Sequence, residues 1–402
     1  MEDMLFGGAG DVMPVSSDSF NQAYENIVES ANRRGARKRN REYLEKLRRA
    51  TDILVKFKEG RISTSDFQEV LTTSDFPILF GDILDRRLLD QYQVTTPSWQ
   101  AYASRGTVPD FRQSRIIAID GLQNPFYPSA FDKPEGQDLK YDNTIAETGY
   151  TTQVKVYERG YALSWRMFIN RALNFIDRFP TLLANGARRT ESKFAVDLFV
   201  NSGGPDSTFF SSGNANIVNT TNGAASNNPA LSVQGLKDAL NVLLNRTDSG
   251  GDPIEINGAV LVVPPLLALT ANEIIRGAQL ELVPATSAAG TRVFTPNWVR
   301  EKIKVVTEWY LPIIDQTANK HTTWYLFADP NVGRPAMEVT FLQGYEQPSF
   351  WQKAPNTMRM GGSVDPMMGD FSDMSQHYKA MHIVGGTLLD PKMAVVSNGS
   401  GS

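Results

Sequence analysis

The segment from Asp110 to Asn201 most constrains how this chain can fold, because it joins a long polar loop, an extended ribbon and one long helix. Residues from Tyr150 to Tyr157 alternate as a two-faced strand does, yet polar and turn-rich sequence surrounds them. A two-stranded ribbon has little core of its own and is marginally stable alone in water. We therefore expect this ribbon to obtain its second surface from another chain.

Composition sets outer bounds on the class of protein. With 402 residues and 41% hydrophobic content, the chain is long enough for two or more packed units. It has no cysteine, which excludes disulfides and thiolate metal sites and fits a reducing cytoplasm. It also lacks a signal-peptide pattern and an apolar run of about 18 residues, so we expect a soluble protein with no membrane partner.

Positive charge is concentrated near the N-terminus, although the net charge of the chain is −4. Nine Lys and Arg residues within Arg33–Arg49 stand against only Glu42 and Glu45, and apolar residues recur among them at roughly helical spacing. This amphipathic arm is either a solvated helix face or a contact for nucleic acid or an acidic neighbour. The residues considered for that contact are Arg33, Arg34, Arg37, Lys38, Arg39 and Arg41.

The middle of the chain predicts helix, ribbon and helix in turn. Ser74 or Asp75 caps a helix whose apolar side includes Leu88 and Leu89. An extended segment at 111–119 precedes a turn-rich loop, and the ribbon resumes at Tyr150 and turns at Glu158–Gly160. A second helix breaks around Asn174, restarts near Pro180 and runs to about Asn201. The polar residues expected to face away from its apolar stripe are Arg188, Arg189, Glu191 and Lys193.

The second half of the chain predicts an alternating αβ unit followed by strands. Ser202–Pro229 is rich in Gly, Ser, Asn and Thr and indicates a boundary or a surface excursion. Helices are predicted at Leu231–Leu244 and Leu266–Gly277. Strands are predicted at Ala259–Val263, Ile303–Trp309, Thr322–Phe327, Ala336–Phe341 and Tyr378–Ile383.

Signatures of catalysis, cofactor binding and metal binding are missing from the sequence. We find no phosphate-binding loop, nucleophile elbow, zinc-protease motif or dinucleotide fingerprint. His377 and His382 are five residues apart in a strand-like context, which directs them to opposite faces. Asp365, Asp370 and Asp373 form an acidic loop that is either solvated or cation-binding. We expect neither an enzyme nor a cofactor or metal site.

One resemblance is specific, and four sequence stretches carry it in the same order as in the family. The stretches are SDFPILFGDILDRRLLDQYQVTTPSWQAYASRGTVPDFR (Ser74–Arg112), YERGYALSWRMFIN (Tyr157–Asn170), WYLFADP (Trp324–Pro330) and MEVTFLQG (Met337–Gly344). They resemble the major capsid proteins of tailed bacteriophages, in the branch similar to the head subunit of phage Mu. The resemblance covers most of residues 74–390. Arg171 and Ala172 depart from the acidic residues of relatives, so no role is carried over there.

This resemblance implies the Hong Kong 97 phage capsid fold and a division of the chain into named parts. The implied parts are an N-terminal arm with the basic helix (1–75), a helix and connection (76–110), the extension loop (111–165), the spine helix of the peripheral domain (166–225), the axial domain (226–335), and return strands of the peripheral domain with a C-terminal tail (336–402).

The resemblance also implies partners and contact residues. The chain would form hexameric and pentameric capsomers of an icosahedral shell in the host bacterial cytoplasm, around double-stranded DNA, with scaffold, portal and decoration proteins as further partners. The basic arm would then contact DNA or line the interior. The residues expected at contacts between subunits are Phe126, Tyr127, Phe131, Lys133, Lys140, Tyr141, Tyr150 and Lys155. Some relatives crosslink a lysine of this loop to an asparagine of a neighbouring subunit. This chain has no motif that supports such a crosslink.

Two other functions remain as alternatives to a genome-enclosing capsid. An encapsulin-like nanocompartment has the same fold and encloses cargo enzymes instead of a genome. An enzyme with a pocket in the α+β unit is the second alternative, and it lacks a recognisable nucleophile and base. Shell size and the extraction of DNA or of cargo protein distinguish the two shells.

Overall fold

A computed structural model describes residues 56, 61, 88–94, 96–120, 146–164, 166, 173–218, 228–248, 251–277, 279–282, 293–297, 299–331, 334–354, 360 and 370–400. Helices and strands are both present, so the predicted α+β class is confirmed. The helices are α1 (Leu173–Phe199), α2 (Val233–Leu244), α3 (Ala268–Arg276), α4 (Val299–Lys302) and α5 (Leu311–Ile314). Residues 88–94 are also helical, and short 3₁₀ turns occupy Ser98–Ala101, Pro265–Leu267 and Pro391–Met393.

The strands that the structure describes are β1 (Ser104–Val108), β2 (Ser114–Asp120), β3 (Ala146–Thr152), β4 (Val154–Ser164), β5 (Val200–Asn201), β6 (Gly204–Pro205), β7 (Ala259–Val263), β8 (Gln279–Leu282), β9 (Val293–Pro296), β10 (Ile303–Thr307), β11 (Trp324–Ala328), β12 (Met337–Leu342), β13 (Ser349–Gln352), β14 (Ser375–Leu388) and β15 (Ala394–Ser397). They form five sheets, of which three have only two strands each.

The first of two compact units consists of the described residues before Thr96, with Tyr157–Ala187 and Gln347–His382. Its sheet pairs β13 antiparallel to β14, and β4 also pairs with β14. Aromatic rings fill its core. The ring of Phe350 stacks on Tyr378 at 5.3 Å between centroids, and Phe179 meets Phe350 edge to face at 5.7 Å. Leu88 is 1% exposed in the same core, as the predicted apolar helix side requires.

The second unit comprises Thr96–Val156, Arg188–Glu346 and Ile383–Ser402. Its four-stranded sheet has the order β10-β7-β11-β15, in which β7 is parallel to β10 and antiparallel to β11. All residues of β7 and β11 are buried, because side chains cover both faces of the sheet. Such two-sided burial explains why the sequence of β7, AVLVV, is continuously apolar and does not alternate.

The two faces of this sheet have different cores. On one face, Leu261 and Leu326 pack in a cluster with residues of α2 and α3. On the other face, Phe199 meets the rings of Tyr325 and Phe327 edge to face at 4.9 and 5.2 Å. The hydroxyl of Ser232, the residue before α2, accepts a hydrogen bond from Gly235 N at 3.1 Å and caps this helix.

Two sequence predictions about breaks are wrong. Helix α1 is continuous through Pro180, without a break at Asn174, because the packing of Phe179 and Leu183 in the first unit outweighs the lost hydrogen bond of about 3 kcal/mol. No turn interrupts β4 at Glu158–Gly160. Its neighbour β14 stabilises the extended backbone there and overrides the local glycine signal.

One prediction about exposure is wrong, because Glu191 does not face solvent but is 0% exposed. The Ser202–Pro229 segment, predicted as a boundary or a surface excursion, is buried in part. Within that segment, Phe210 and Asn216 are buried. Asn216 is satisfied internally, since its amide group donates to Phe209 O at 2.8 Å and accepts from Ser211 N at 2.9 Å. Polar residues therefore hold part of this segment in the core.

Candidate assembly surfaces

The predicted ribbon is confirmed as the pair β2 and β3. These strands pair in antiparallel register from Ser114 with Thr152 to Asp120 with Ala146, and they form a sheet of two strands. Ile117 is 52% exposed and Phe111, before β2, is 46% exposed. A two-stranded sheet with exposed apolar side chains does not bury enough surface to stabilise itself, so it offers a contact surface.

The base of the ribbon is fixed to β12 and β14 of the second unit. The hydroxyls of Thr152 and Thr340 lie 2.9 Å apart in a buried contact, and the Gln153 side chain donates to Phe111 O at 3.0 Å. Gly385 of β14 lies so close to the backbone at Gln153 that an added Cβ would clash with it, and Val154 Cα would be 2.6 Å away. The close approach requires glycine at position 385 and anchors the start of β4.

The two faces of the ribbon differ in how far their side chains are exposed. Ile116 and Tyr150 lie opposite each other, and both are half-buried. Arg115 and Ile117 lie on the other face with Gly149, where an added Cβ would lie 2.8 Å from an Arg115 guanidinium nitrogen. Glycine at position 149 therefore leaves room for the arginine to cross the ribbon beside an exposed isoleucine.

Only two of the residues predicted at subunit contacts are described. Tyr150 is half-buried on the ribbon and Lys155 is exposed in β4. The other predicted contact residues lie outside the described residues: Phe126, Tyr127, Phe131, Lys133, Lys140 and Tyr141. The basic-arm residues Arg33, Arg34, Arg37, Lys38, Arg39 and Arg41 also lie outside them. Their contacts stay predictions.

A groove of about 570 Å³ lies in the first unit, on the outer face of β4, β13 and β14. Trp351 forms one wall of the groove and is 53% exposed. Gly160 and Ala162 of β4 have no large side chain, so the groove is open above them. Sequence reasoning missed this surface, although the alternation in β13 was a signal for it. The neighbouring Phe350 packs inward on Tyr378, so Trp351 must face outward.

Basic side chains that line the groove lie beside carboxylates. Lys379 pairs with Glu158 at 2.9 Å, and His377 lies 3.3 Å from Asp373. Lys353 pairs with Asp370, and its hydrogen bond is the main cause that holds the pKa of that carboxyl well below its usual range. The groove therefore resembles a protein contact surface more than an anion site.

Two buried carboxyl groups lie in the core of the second unit. Glu191 accepts a hydrogen bond from Trp99, and Glu308 is 1% exposed and accepts one from the Tyr102 hydroxyl at 3.0 Å. Burial raises the pKa of Glu308 to about 7, although hydrogen bonds from Ser98 and Tyr102 oppose the shift. Solvent does not reach Glu308, so its burial in the core accounts for the raised pKa.

The described part of the chain contains no group of three or more His, Asp or Glu residues that could hold a metal ion. His377 is partly exposed and His382 is buried in β14, which confirms that they face opposite sides. Asp365 lies outside the described residues. No helix in the described ranges is both long and apolar enough to span a membrane.

The exposed ribbon and the groove offer surfaces on which other chains could pack. The sequence model of the family described as phage capsid protein matches residues 148–397, which is more than half of the chain. The chain therefore belongs to the phage capsid protein family, and the predicted resemblance is confirmed. A protein of this family is structural, is located in the capsid of the virion, and associates with its own copies in the shell.

Comparisons with individual proteins give weaker likenesses. No curated protein matches the sequence. A holo-encapsulin complex from Synechococcus elongatus is 12% identical with a TM-score of 0.44, over 76% of this chain and 89% of that chain. The mature capsid of bacteriophage PhiM1 is 11% identical with a TM-score of 0.43, over 75% and 86%. A Gordonia phage Cozz structure is 14% identical with a TM-score of 0.39, over 74% and 84%.

Proposed function

We propose that this chain is the major capsid protein of a tailed bacteriophage and assembles into an icosahedral shell around double-stranded DNA. The observation that carries the proposal beyond family membership is the ribbon of β2 and β3. It has a fixed base and an exposed apolar surface, as expected of an element completed by neighbouring copies. In a shell, many modest contacts of this kind act together, and stability belongs to the assembly.

The parts of the Hong Kong 97 phage capsid fold are assigned to the chain in the same proposal. The ribbon supports an extension loop at 111–165, and the 27 residues of α1 support a spine helix within 166–225. The four-stranded sheet supports an axial domain at 226–335, to which we add β15 because it pairs with β11. The arm at 1–75, the connection at 76–110 and the remaining strands and tail of 336–402 complete the assignment.

The proposed partners are chiefly further copies of the chain, arranged in hexameric and pentameric capsomers. Assembly takes place in the host bacterial cytoplasm, and scaffold, portal and decoration proteins are additional partners. DNA contact is assigned to the basic arm, because clustered Lys and Arg neutralise phosphates without sequence preference. We assign no catalytic role and no cofactor.

Electron microscopy of the protein expressed alone, and again with a scaffold, tests the proposal. We expect closed shells, tubes or capsomers, and DNA in particles recovered from infected cells. A protein that stays monomeric at high concentration under all of these conditions contradicts the proposal. Small shells that contain a cargo protein and no DNA would instead support the encapsulin-like alternative.

A further inference from the structure

An asparagine followed by a glycine is a chemically reactive pair, and the chain contains several such pairs. They are Asn185–Gly186, Asn222–Gly223, Asn257–Gly258 and Asn398–Gly399. The backbone nitrogen of the second residue can attack the side-chain amide of the first, and glycine favours this attack because it has no Cβ in the way. Because the reaction is intramolecular, the local geometry of each pair decides its rate.

A helix restrains the first of these pairs. Asn185 and Gly186 lie within α1, far from either of its ends. A helical backbone N–H points to the carbonyl four residues earlier and not to the side chain before it. Ring closure there would require the helix to open locally. Asn222 and Gly223 lie outside the described residues.

Hydrogen bonds and close packing restrain the last pair. The side-chain oxygen of Asn398 accepts hydrogen bonds from Ser400 N at 3.0 Å and from Ser400 Oγ at 2.6 Å. The amide of Gly399 donates to Ser397 Oγ at 3.3 Å, and an added Cβ at Gly399 would lie 2.4 Å from Thr322 O. The side chain and the backbone nitrogen are therefore both held away from each other's reach.

The pair at Asn257 has neither kind of restraint. Asn257 is exposed in the segment that leads into β7, and Gly258 is half-buried. In the part of the chain that the structure describes, no hydrogen bond holds the Asn257 side chain or the Gly258 N–H. Gly258 is anchored only through its carbonyl, which accepts from Asp329 N at 3.1 Å. The nitrogen is thus available as a nucleophile, and the side chain is free to rotate towards it.

We propose that Asn257 is a site of spontaneous deamidation in the folded chain. The nitrogen of Gly258 loses its proton and forms a bond to Cγ of Asn257. The bond between Cγ and Nδ2 breaks, and Nδ2 leaves as ammonia with that proton. Water then adds to either carbonyl carbon of the cyclic imide and opens the ring, which gives aspartate or isoaspartate. Water is the only co-reactant in this sequence of steps.

The reaction changes both charge and backbone at the start of β7. It creates a carboxylate close to Asp329, since an added Cβ at the adjacent Gly258 would lie 3.9 Å from Asp329 Oδ2. Isoaspartate also lengthens the main chain by a methylene group shortly before Ala259, which pairs with Ala328 of β11. The modification would therefore alter the point at which β7 enters the four-stranded sheet.

Peptide mapping of dissociated subunits that have been aged in mildly alkaline buffer tests the proposal. Trypsin separates the three described pairs, because cleavage after Lys and Arg releases the peptides 179–188, 247–276 and 393–402. Mass spectrometry detects the exchange of an amino group for a hydroxyl group, and fragmentation assigns it to position 257. We expect the 247–276 peptide to be converted at least about tenfold faster than the other two.

Two matched controls separate the effect of structure from that of sequence. Gly258→Ala should slow the conversion about tenfold, since a Cβ hinders the attack. The fold should tolerate this variant, because the nearest atom to that Cβ is Asp329 Cβ at 3.8 Å. In urea, where the helix and the packing are lost, the three parent peptides should be converted at rates within about threefold of one another.

The outcomes are distinct. Faster conversion at Asn257 in folded subunits, with the difference lost in urea, supports the proposal. Conversion of 247–276 no faster than that of 393–402 in folded subunits overturns it, as does an unchanged rate in Gly258→Ala. Dissociated subunits are used throughout, so a negative result leaves the proposed function intact, and a failure to form shells leaves this inference intact.

Discussion

The indole nitrogen of Trp99 donates a 2.9 Å hydrogen bond to the carboxylate of Glu191, and both side chains are 0% exposed. Arg188 lies 3.2 Å from the same carboxylate oxygen and is itself only 12% exposed. This buried carboxylate stabilises the fold only as long as both of its donors, the indole and the guanidinium, are paired with it. Removal of the carboxylate leaves a buried N–H and a poorly solvated cation without their acceptor.

We therefore expect Glu191→Ala to lower the free energy of unfolding by about 3 kcal/mol or more. Glu191→Gln keeps an acceptor for the indole and should cost less. Urea denaturation of dissociated subunits measures both changes. Glu273→Ala is the matched control, since Glu273 is an exposed residue of α3 and should change stability by less than about 0.5 kcal/mol. A cost for Glu191→Ala as small as that of the control contradicts this prediction.

Glu308 should make stability depend on pH near neutrality. Burial raises its pKa in the folded chain from the ordinary value of 4.5 to about 7, so the folded state holds a proton that the unfolded state releases. The resulting stability is complete below pH 4.5 and is lost as the pH rises through about 7. Between about pH 5 and about pH 8 this group alone removes roughly 2 to 3 kcal/mol.

The variant Glu308→Gln has no proton to lose and should lack this part of the pH dependence. Denaturation of the parent, of Glu308→Gln and of the exposed control Glu273→Gln at the two pH values measures the difference. The control should follow the parent. Identical pH dependence in all three chains would show that Glu308 does not titrate in this range.

Gly385→Ala and Gly186→Ala should change stability in opposite directions. A Cβ at position 385 meets the backbone of Gln153 and Val154, which cannot move aside, so we expect a loss of about 2 kcal/mol or more. A Cβ at Gly186 in α1 meets nothing within 4 Å, and alanine there should stabilise the helix by about 0.5 to 1 kcal/mol. Thermal unfolding of the two variants checks the predicted signs.

Shortening the ribbon should separate folding from assembly. Asp120 and Ala146 are directly paired, so an Asn-Gly turn between them can replace residues 121–145 and close a hairpin. We expect circular dichroism of this variant to match the described fold, whereas electron microscopy finds no closed shells. Closed shells at the parent yield would show that the loop is dispensable for assembly.

Neutralising the basic arm should weaken DNA retention or subunit association in a salt-dependent way. The variant replaces Arg33, Arg34, Arg37 and Arg39 by Gln, which removes four positive charges from a segment with few carboxylates. A matched control removes the same charge from exposed positions elsewhere: Arg189, Lys193, Lys302 and Lys304. Particle yield and packaged DNA are measured across a salt series. If the arm variant behaves as the control does at every salt concentration, the arm is only a solvated helix face.

Sequence reasoning worked best where one local signal decided the structure. The apolar run of β7 and the capped helix α2 were predicted nearly to the residue. It failed at Pro180, at Glu158–Gly160 and at Glu191, because packing against residues distant in sequence overrode the local preference there. A polar residue in a helix gives no sign that an indole 92 positions earlier will bury it.

The candidate surfaces were likewise predictable only where a local sequence pattern indicated them. Alternation at 150–157 and the extended segment at 111–119 indicated the ribbon, although the register of its strands came only from the fold. The parallel pairing of β7 with β10 was not predicted, because it joins strands that are distant in sequence. The helix and strand patterns alone do not show which strands are neighbours.

The position of β15 has a consequence for the timing of synthesis. β15 fills the edge of β11 and is the last of the described strands to leave the ribosome, so the sheet of the second unit stays open until residue 397 has emerged. A nascent subunit cannot complete this unit, whatever its length before that point. Chains still attached to ribosomes would then be poor partners for finished ones, which delays association until translation has passed β15.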